Sequence, residues 1–151
     1  MNPPAAIAAD PFDAALAGLD CGLQLDDGRM LSLPVWRWHD DAGGADHWLL
    51  ERCQGPAIDL GCGPGRLVQA LVANGLAALG VDASPRANRH CANRGAPAVQ
   101  RDVFTPLPGE GRWRHAILAD GNIGIGGDPV ALLRRAASLL RGGGSVLVET
   151  E

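Results

Sequence analysis

A short glycine-rich segment constrains the fold of this chain more than any other feature. The segment Asp59-Leu60-Gly61-Cys62-Gly63-Pro64-Gly65-Arg66 follows the apolar pair Ala57-Ile58 and precedes a helical pattern of apolar residues. A strand that passes through glycines into a helix N-terminus lets the backbone approach a nucleotide-like ligand closely. The segment therefore predicts a strand–turn–helix unit whose turn can bind such a ligand.

A second carboxylate lies where a nucleotide site needs one. Asp82 ends the apolar run Leu76–Val81, 21 positions after Gly61. At the end of the second strand of such a unit, a carboxylate can accept hydrogen bonds from ribose hydroxyls. Capping of the next helix is the alternative role for Asp82, although Ser84 is well placed to provide that cap. A dinucleotide fingerprint would also place its third glycine where this chain has Arg66.

These two motifs together resemble class I S-adenosylmethionine-dependent methyltransferases. The resemblance is carried by the Asp-Leu-Gly-Cys-Gly-Pro-Gly segment and by Gly80-Val81-Asp82-Ala83-Ser84. It implies S-adenosylmethionine as the cofactor, with Asp59 reaching toward the methionine ammonium group through the glycine loop. The loop residues expected to contact the cofactor are Gly61, Cys62, Gly63 and Gly65.

The resemblance also implies site residues at the ends of three strands. Ala83 is expected against the adenine ring, Asp102 as an acceptor for the adenine amino group, and Val103 as a donor through its backbone amide. Asp120 lies in the loop that passes the methionine end of the cofactor and the methyl acceptor in this family. Asp102 and Asp120 have an alternative interpretation as ordinary solvated loop residues.

From residue 57 onward, the pattern alternates strands and helices, which predicts a parallel sheet with helices on both faces. The expected strands are Ala57–Leu60, Leu76–Val81, Ala98–Arg101, His115–Ala119 and Ser145–Glu149. The fold class is thus α/β, and the resemblance implies a Rossmann-like doubly wound sheet of strand order 3-2-1-4-5 over residues 57–151. Family members usually add further C-terminal strands, so we expect a truncated domain or a partner that covers the edge of the fifth strand.

Residues 1–56 are expected to form an N-terminal extension. Asp10-Pro11 predicts a helix start with an end near Leu19, and Asp26-Asp27-Gly28-Arg29 predicts a hairpin turn. Trp36 and Trp38 are expected to pack against other parts of the protein. A further helix is predicted from Asp46 to Gln54.

The composition limits the partners. The formal charge of −4 and the pI near 5.5 lack the basic footprint of a nucleic-acid binder. The fourth-strand loop also lacks the Asn/Asp-Pro-Pro-aromatic sequence that is usual in methyltransferases acting on nucleic acid bases. No stretch approaches the ~18 apolar residues of a membrane helix. Four widely spaced cysteines suggest neither a metal site nor a disulfide framework. We therefore expect a cytoplasmic protein with no metal.

The sequence favours transfer of a methyl group to a small-molecule acceptor, and it assigns no catalytic residue. His39 and His47 flank a loop before the glycine motif and are candidates to face the acceptor. Two alternatives stay open at this stage: a nicotinamide-dependent oxidoreductase, and a module that binds the cofactor without catalysis. A homo-oligomer is a further possibility, because the fifth strand would otherwise have an exposed edge.

Overall fold

The computed structural model describes residues 12–150 as an α/β fold with a short N-terminal region. The N-terminal elements are α1 (Asp13–Leu16), β1 (Gly22–Gln24), β2 (Met30–Ser32), α2 (Val35–His39), a 3-10 turn (Gly44–Asp46) and α3 (His47–Arg52). The remaining elements are β3 (Ala57–Leu60), α4 (Arg66–Ala73), β4 (Ala78–Asp82), α5 (Pro85–Arg94), β5 (Ala98–Gln100), β6 (Trp113–Leu118), a 3-10 segment (Asn122–Gly127), α6 (Pro129–Ser138) and β7 (Leu140–Val148).

The main sheet has five parallel strands in the order β5-β4-β3-β6-β7. Counted along the sheet's own strands, this is the expected order 3-2-1-4-5. The order reverses between β3 and β6, so a crevice opens at their carboxyl ends. Open α/β sheets bind ligands at such a switch point.

Both faces of the sheet are buried, as parallel sheets require. On β3, Ala57 belongs to a core cluster with residues of α3 and α4, whereas Ile58 and Leu60 belong to a cluster with α6. This alternation follows from the two-residue period of a strand. Asp59 is on the same side of the strand as Ala57, the side covered by α4.

Side-chain caps begin two helices, and the cap at Ser84 is the one predicted above. The Ser84 hydroxyl accepts a hydrogen bond from the Ala87 amide at 3.1 Å, and Pro85 begins α5. The Asp128 carboxylate accepts from the Ala131 amide at 3.0 Å, and Pro129 begins α6. These local caps fix where both helices start, and therefore where the preceding loops lie at the carboxyl edge of the sheet.

The N-terminal hairpin forms as predicted, with Leu23 opposite Leu31. The expectation for Trp36 is wrong, because α2 presents this side chain to solvent with 67% exposed. Trp38 is half-buried, and its ring packs edge to face against the ring of Phe12, with 6.1 Å between the ring centroids. The predicted helix start at Asp10-Pro11 lies outside the described residues.

The last strand is longer than expected. It begins at Leu140, and a register shift near Trp113 and His115 accommodates the glycines that precede Ser145. Helix α6 correspondingly ends at Ser138, two residues before this strand. Among residues 12–150, no helix combines the length and the apolar character needed to cross a membrane.

Candidate cofactor and acceptor site

The glycine turn between β3 and α4 has the backbone geometry that its sequence predicts. Gly61, Gly63 and Gly65 all have positive φ, at +76°, +53° and +90°. A Cβ atom at Gly65 would lie 2.8 Å from the Cys91 sulfur, and one at Gly61 would lie 2.8 Å from the Asn122 amide nitrogen. At Gly63 a Cβ would meet nothing within 4 Å. The turn is therefore packed at both ends and open in the middle, where a ligand can approach the backbone.

Asp82 is joined directly to this turn. Its Oδ2 accepts a hydrogen bond from the Gly63 amide at 2.9 Å, and its Oδ1 accepts from the Ser84 amide at 2.9 Å. The carboxylate thus lies at the carboxyl end of β4 beside the open part of the glycine turn. Because Ser84 provides the cap of α5, Asp82 is not needed for that purpose.

Asp59 is a buried carboxylate with an unmet hydrogen-bonding requirement. The residue is 3% exposed, and its Oδ1 has no hydrogen-bond partner among the described residues. Burial raises the pKa of Asp59 to about 7, against the opposing effect of the Arg66 guanidinium. Asp120, Asp82 and Asp46 raise this pKa further through like-charge repulsion. A ligand that donates a hydrogen bond or carries positive charge would satisfy this carboxylate.

Arg66, the first residue of α4, links two separate segments to the glycine turn. It is 5% exposed, and its guanidinium donates to Asp46 at 2.9 and 3.3 Å and to Asp120 at 2.5 and 3.2 Å. Ion pairing with these carboxylates raises the pKa of Arg66 and outweighs the opposing effect of burial. The same guanidinium helps to lower the pKa of Asp46, whose burial acts in the opposite direction. The pairs hold the N-terminal region and the β6 loop against the start of α4.

Arg37 and Glu149 extend this network, and the sequence analysis missed both. Arg37 of α2 lies 3.1 Å from Glu149 Oε1, 3.3 Å from Asp46 Oδ1 and 3.7 Å from Asp120 Oδ1. Glu149 directly follows β7, and its backbone amide donates to the Leu118 carbonyl at 2.9 Å. The other oxygen, Glu149 Oε2, is buried without a hydrogen-bond partner among the described residues. The sequence offered one indication of Glu149, its position at the end of the predicted fifth strand.

The loop after β6 is fastened to the glycine turn by Asn122. The Asn122 side-chain amide donates to the Leu60 and Gly61 carbonyls at 3.1 and 2.8 Å. Asp120, at the start of this loop, has φ of +54°, an uncommon conformation for a residue other than glycine. Its ion pair with Arg66 helps to hold it there. Asp120 thus lies beside the glycine turn, with its carboxylate already bound to Arg66.

The remaining sequence candidates are spread along the same edge of the sheet. Ala83 is exposed after β4, and Asp102 is exposed after β5, where its Oδ1 accepts from the Phe104 amide at 2.8 Å. Val103 is buried, and its carbonyl accepts from Arg135. These residues follow β4 and β5 at the carboxyl edge of the sheet, the edge at which Asp82 lies.

The Cys62 side chain points away from the open part of the turn. Its sulfur is buried against Gly80 and lies 3.8 Å from the Cys91 sulfur. Hydrogen bonding with Cys91 and burial raise the pKa of Cys62. Any contact between Cys62 and a ligand must therefore come from its backbone.

The candidate histidine His39 is used within the N-terminal region. Its Nε2 donates to the Ala15 carbonyl at 3.0 Å, and the neighbouring His90 Nε2 donates to the Leu16 carbonyl at 2.8 Å. The two imidazole rings pack edge to face, with 5.1 Å between their centroids. His47 is exposed at the start of α3. The residues that converge at the carboxyl edge of the sheet are instead carboxylates and arginines.

The strand order, the open glycine turn and the carboxylate fixed to it define a Rossmann-like nucleotide-binding domain of the class I methyltransferase type. The family model described as a methyltransferase domain matches residues 57–144, more than half of the chain. The chain belongs to this family, and S-adenosylmethionine is the cofactor of the class.

Solved structures with the same fold include several methyltransferases. A S-adenosylmethionine-dependent methyltransferase from Bacteroides fragilis, in complex with S-adenosyl-L-homocysteine, has a TM-score of 0.72 and 23% identity, over 91% of this chain and 62% of that chain. A TehB-like enzyme from Corynebacterium glutamicum has a TM-score of 0.64 and 20% identity, over 75% and 68% of the two chains. A possible histamine N-methyltransferase from Thermotoga maritima has a TM-score of 0.54 and 22% identity, over 64% and 44%. No curated protein matches the sequence of this chain. The chain spans less than two thirds of the length of the Bacteroides fragilis neighbour.

Proposed function

We propose that this chain binds S-adenosylmethionine across the carboxyl ends of β3 and β4 and transfers its methyl group to a small-molecule acceptor. The observation that carries the proposal is the Asp82 carboxylate, which is bound to the Gly63 amide beside the open part of the glycine turn. This arrangement supports the proposal, because one hydrogen bond joins a carboxylate that can accept from ribose hydroxyls to an accessible stretch of backbone. The side chain of Arg66, buried in ion pairs, takes the position of the third glycine of a dinucleotide fingerprint.

The residues present fit the cofactor at its charged end. Asp59 has a buried oxygen that lacks a hydrogen-bond donor among the described residues, and an ammonium group would supply one. In our proposal Asp59 and the turn residues Gly61, Cys62, Gly63 and Gly65 hold the methionine part. Asp82 holds the ribose, Ala83 and Val103 contact the adenine, and Asp102 accepts from the adenine amino group. Asp120 borders the methionine end.

When bound, the cofactor would supply a methyl group on a positively charged sulfur, from which an acceptor's lone pair would take it by in-line displacement. Such a displacement requires in-line alignment and exclusion of water more than a covalent contribution from the protein. Orientation of this kind contributes ~7–11 kcal/mol in favourable cases. The Arg66 and Asn122 contacts serve this purpose by holding the β6 loop against the glycine turn.

Three features support a small molecule as the acceptor. The protein is acidic overall, the β6 loop carries neither proline nor an aromatic residue, and the rim of the site is lined by carboxylates. The Thermotoga maritima neighbour, described as a possible histamine N-methyltransferase, is an example of the same fold associated with a small amine. The four cysteines form no disulfide, which agrees with a reducing compartment such as the cytoplasm.

Isothermal titration calorimetry with S-adenosyl-L-homocysteine and with NADH tests the cofactor assignment. We expect S-adenosyl-L-homocysteine to bind and NADH not to bind. Asp82→Ala should weaken binding roughly tenfold to a hundredfold, because charge-assisted hydrogen bonds to the ribose are lost. The matched control is Asp26→Ala, at an exposed hairpin position.

The alternative functions give different results. Tight NADH binding with no response to S-adenosyl-L-homocysteine would support an oxidoreductase instead. Binding of the methyltransferase cofactor without turnover of any compound in a broad acceptor panel would support a non-catalytic module. If Asp82→Ala binds S-adenosyl-L-homocysteine as tightly as wild type, the assignment of Asp82 to the ribose is wrong.

A further inference from the structure

The charged cluster at the site contains more carboxylates than guanidinium groups. The ion-pair network joins three carboxylates, those of Asp46, Asp120 and Glu149, to the two guanidiniums of Arg37 and Arg66. Asp59 adds a fourth acidic group within electrostatic reach of Arg66, Asp46 and Asp120. The cluster therefore carries an excess of negative charge at a place where the side chains are largely shielded from water.

Two carboxylate oxygens in this cluster have no hydrogen-bond partner among the described residues, Asp59 Oδ1 and Glu149 Oε2. Buried polar atoms in folded proteins almost always have a partner, so each of these oxygens points to a donor from outside the described residues. Asp59 is 3% exposed and lies behind the glycine turn, where the proposed function puts the cofactor ammonium. One ammonium group cannot also account for the oxygen on Glu149.

Glu149 is held in a defined position. Its Oε1 is bound by Arg37 at 3.1 Å, and its backbone amide is bound to the end of β6 at 2.9 Å. The ion pair with Arg37 fixes the carboxylate and leaves Oε2 as the oxygen able to accept from a ligand. Arg37 also reaches Asp120, so Glu149 lies beside the β6 loop on the far side of the sheet's switch point from Asp82.

We propose that Glu149 is a specificity-determining residue that binds the nitrogen of a basic amine acceptor; this inference rests on the proposed methyltransferase function. The amine enters as an ammonium ion and donates a hydrogen bond to Glu149 Oε2. One proton then passes from the ammonium nitrogen to Glu149 Oε2, which leaves the nitrogen lone pair free to react, and the proton is released to water when the products leave and the site opens to solvent. The surplus negative charge of the cluster favours a cationic acceptor over a neutral alcohol or an anion.

The test uses matched amine and alcohol probes on the same carbon skeleton, such as 2-phenylethylamine and 2-phenylethanol, together with a set of similar pairs. Binding to the protein saturated with S-adenosyl-L-homocysteine is measured by calorimetry and thermal shift, and methyl transfer is measured with radiolabelled S-adenosylmethionine. We expect binding and turnover of amines but not of the matched alcohols. In Glu149→Gln, kcat/KM and affinity for the amine should fall roughly tenfold to a hundredfold. The affinity for S-adenosyl-L-homocysteine should stay within about twofold.

Glu51→Gln is the matched control, because Glu51 is an exposed residue of α3. Equal amine binding in wild type and Glu149→Gln, preference for alcohols, or no response to any amine in the set would overturn the assignment of Glu149. Failure of S-adenosyl-L-homocysteine to bind the wild-type protein would instead overturn the proposed function. If Glu149→Gln unfolds, Glu149→Asp provides the second test, since its shorter side chain retains the charge and should selectively raise KM for the amine.

Discussion

Replacement of Asp59 by asparagine tests two effects of the buried carboxylate separately. One is its effect on the free energy of unfolding, and the other is its contribution to ligand binding. The pKa of Asp59 is raised from its ordinary value of 3.8 to about 7, chiefly by burial. Between these two values the folded protein keeps a proton that the unfolded chain has released. The contribution of Asp59 to the free energy of unfolding is therefore fully present below about pH 3.8 and is lost as the pH rises through about 7.

The size of the effect follows from the same two values. At about 1.4 kcal/mol per pH unit, the difference between the two pKa values corresponds to a total loss of about 4 kcal/mol in the free energy of unfolding. About 3 kcal/mol of this loss falls between pH 5 and pH 8. Asparagine has nearly the same shape and does not ionise. We expect Asp59→Asn to be more stable than wild type at pH 8 without ligand, with the advantage shrinking by about 3 kcal/mol at pH 5.

Urea denaturation at a series of pH values measures this difference. Asp26→Asn is the matched control, since an exposed hairpin aspartate should leave the pH dependence unchanged. In the same samples, affinity for S-adenosyl-L-homocysteine should be roughly tenfold to a hundredfold lower in Asp59→Asn at pH 8, because the ammonium loses an ionised partner. The reasoning is refuted if the two proteins show parallel stability curves, or if the variant binds the ligand as tightly as wild type.

Two further predictions concern residues outside the glycine turn. Arg66→Met removes the closer of the two guanidiniums that Asp46 and Asp120 share and leaves them with Arg37 at 3.3 and 3.7 Å. It should lower the free energy of unfolding by about 3–5 kcal/mol in urea; an unchanged midpoint would show that the Arg66 ion pairs contribute no stability. His115, whose Nε2 accepts from the Gln54 amide, has a pKa lowered by burial and then by Arg114 and Arg141. The unfolded chain therefore takes up the proton first, and stability should fall as the pH drops below about 6.5. His115→Gln should lose this dependence, and an identical acid response in that variant would assign the effect to other groups.

The local features of the fold could be predicted from the sequence because each depends on residues close together in the chain. The glycines of the turn adopt the left-handed conformations that their lack of a side chain permits, and they connect β3 to α4 where predicted. Ser84 and Asp128 cap the helices that follow them. Alternating strands and helices have few favourable arrangements, so the parallel sheet followed from the pattern, and its strand order followed from the family resemblance.

The sequence determined the fold class and the position of the nucleotide-binding edge, since both follow from periodicity and turn chemistry. Tertiary structure alone decided which charges meet at that edge. Arg37 and Glu149 are 112 positions apart, and neither belongs to a recognisable motif. Arg66 could be seen as a departure from the dinucleotide pattern, but its partners Asp46 and Asp120 depend on how α3 and β6 approach α4. Ion pairs between distant segments are set by the packing of whole elements, which local sequence does not encode.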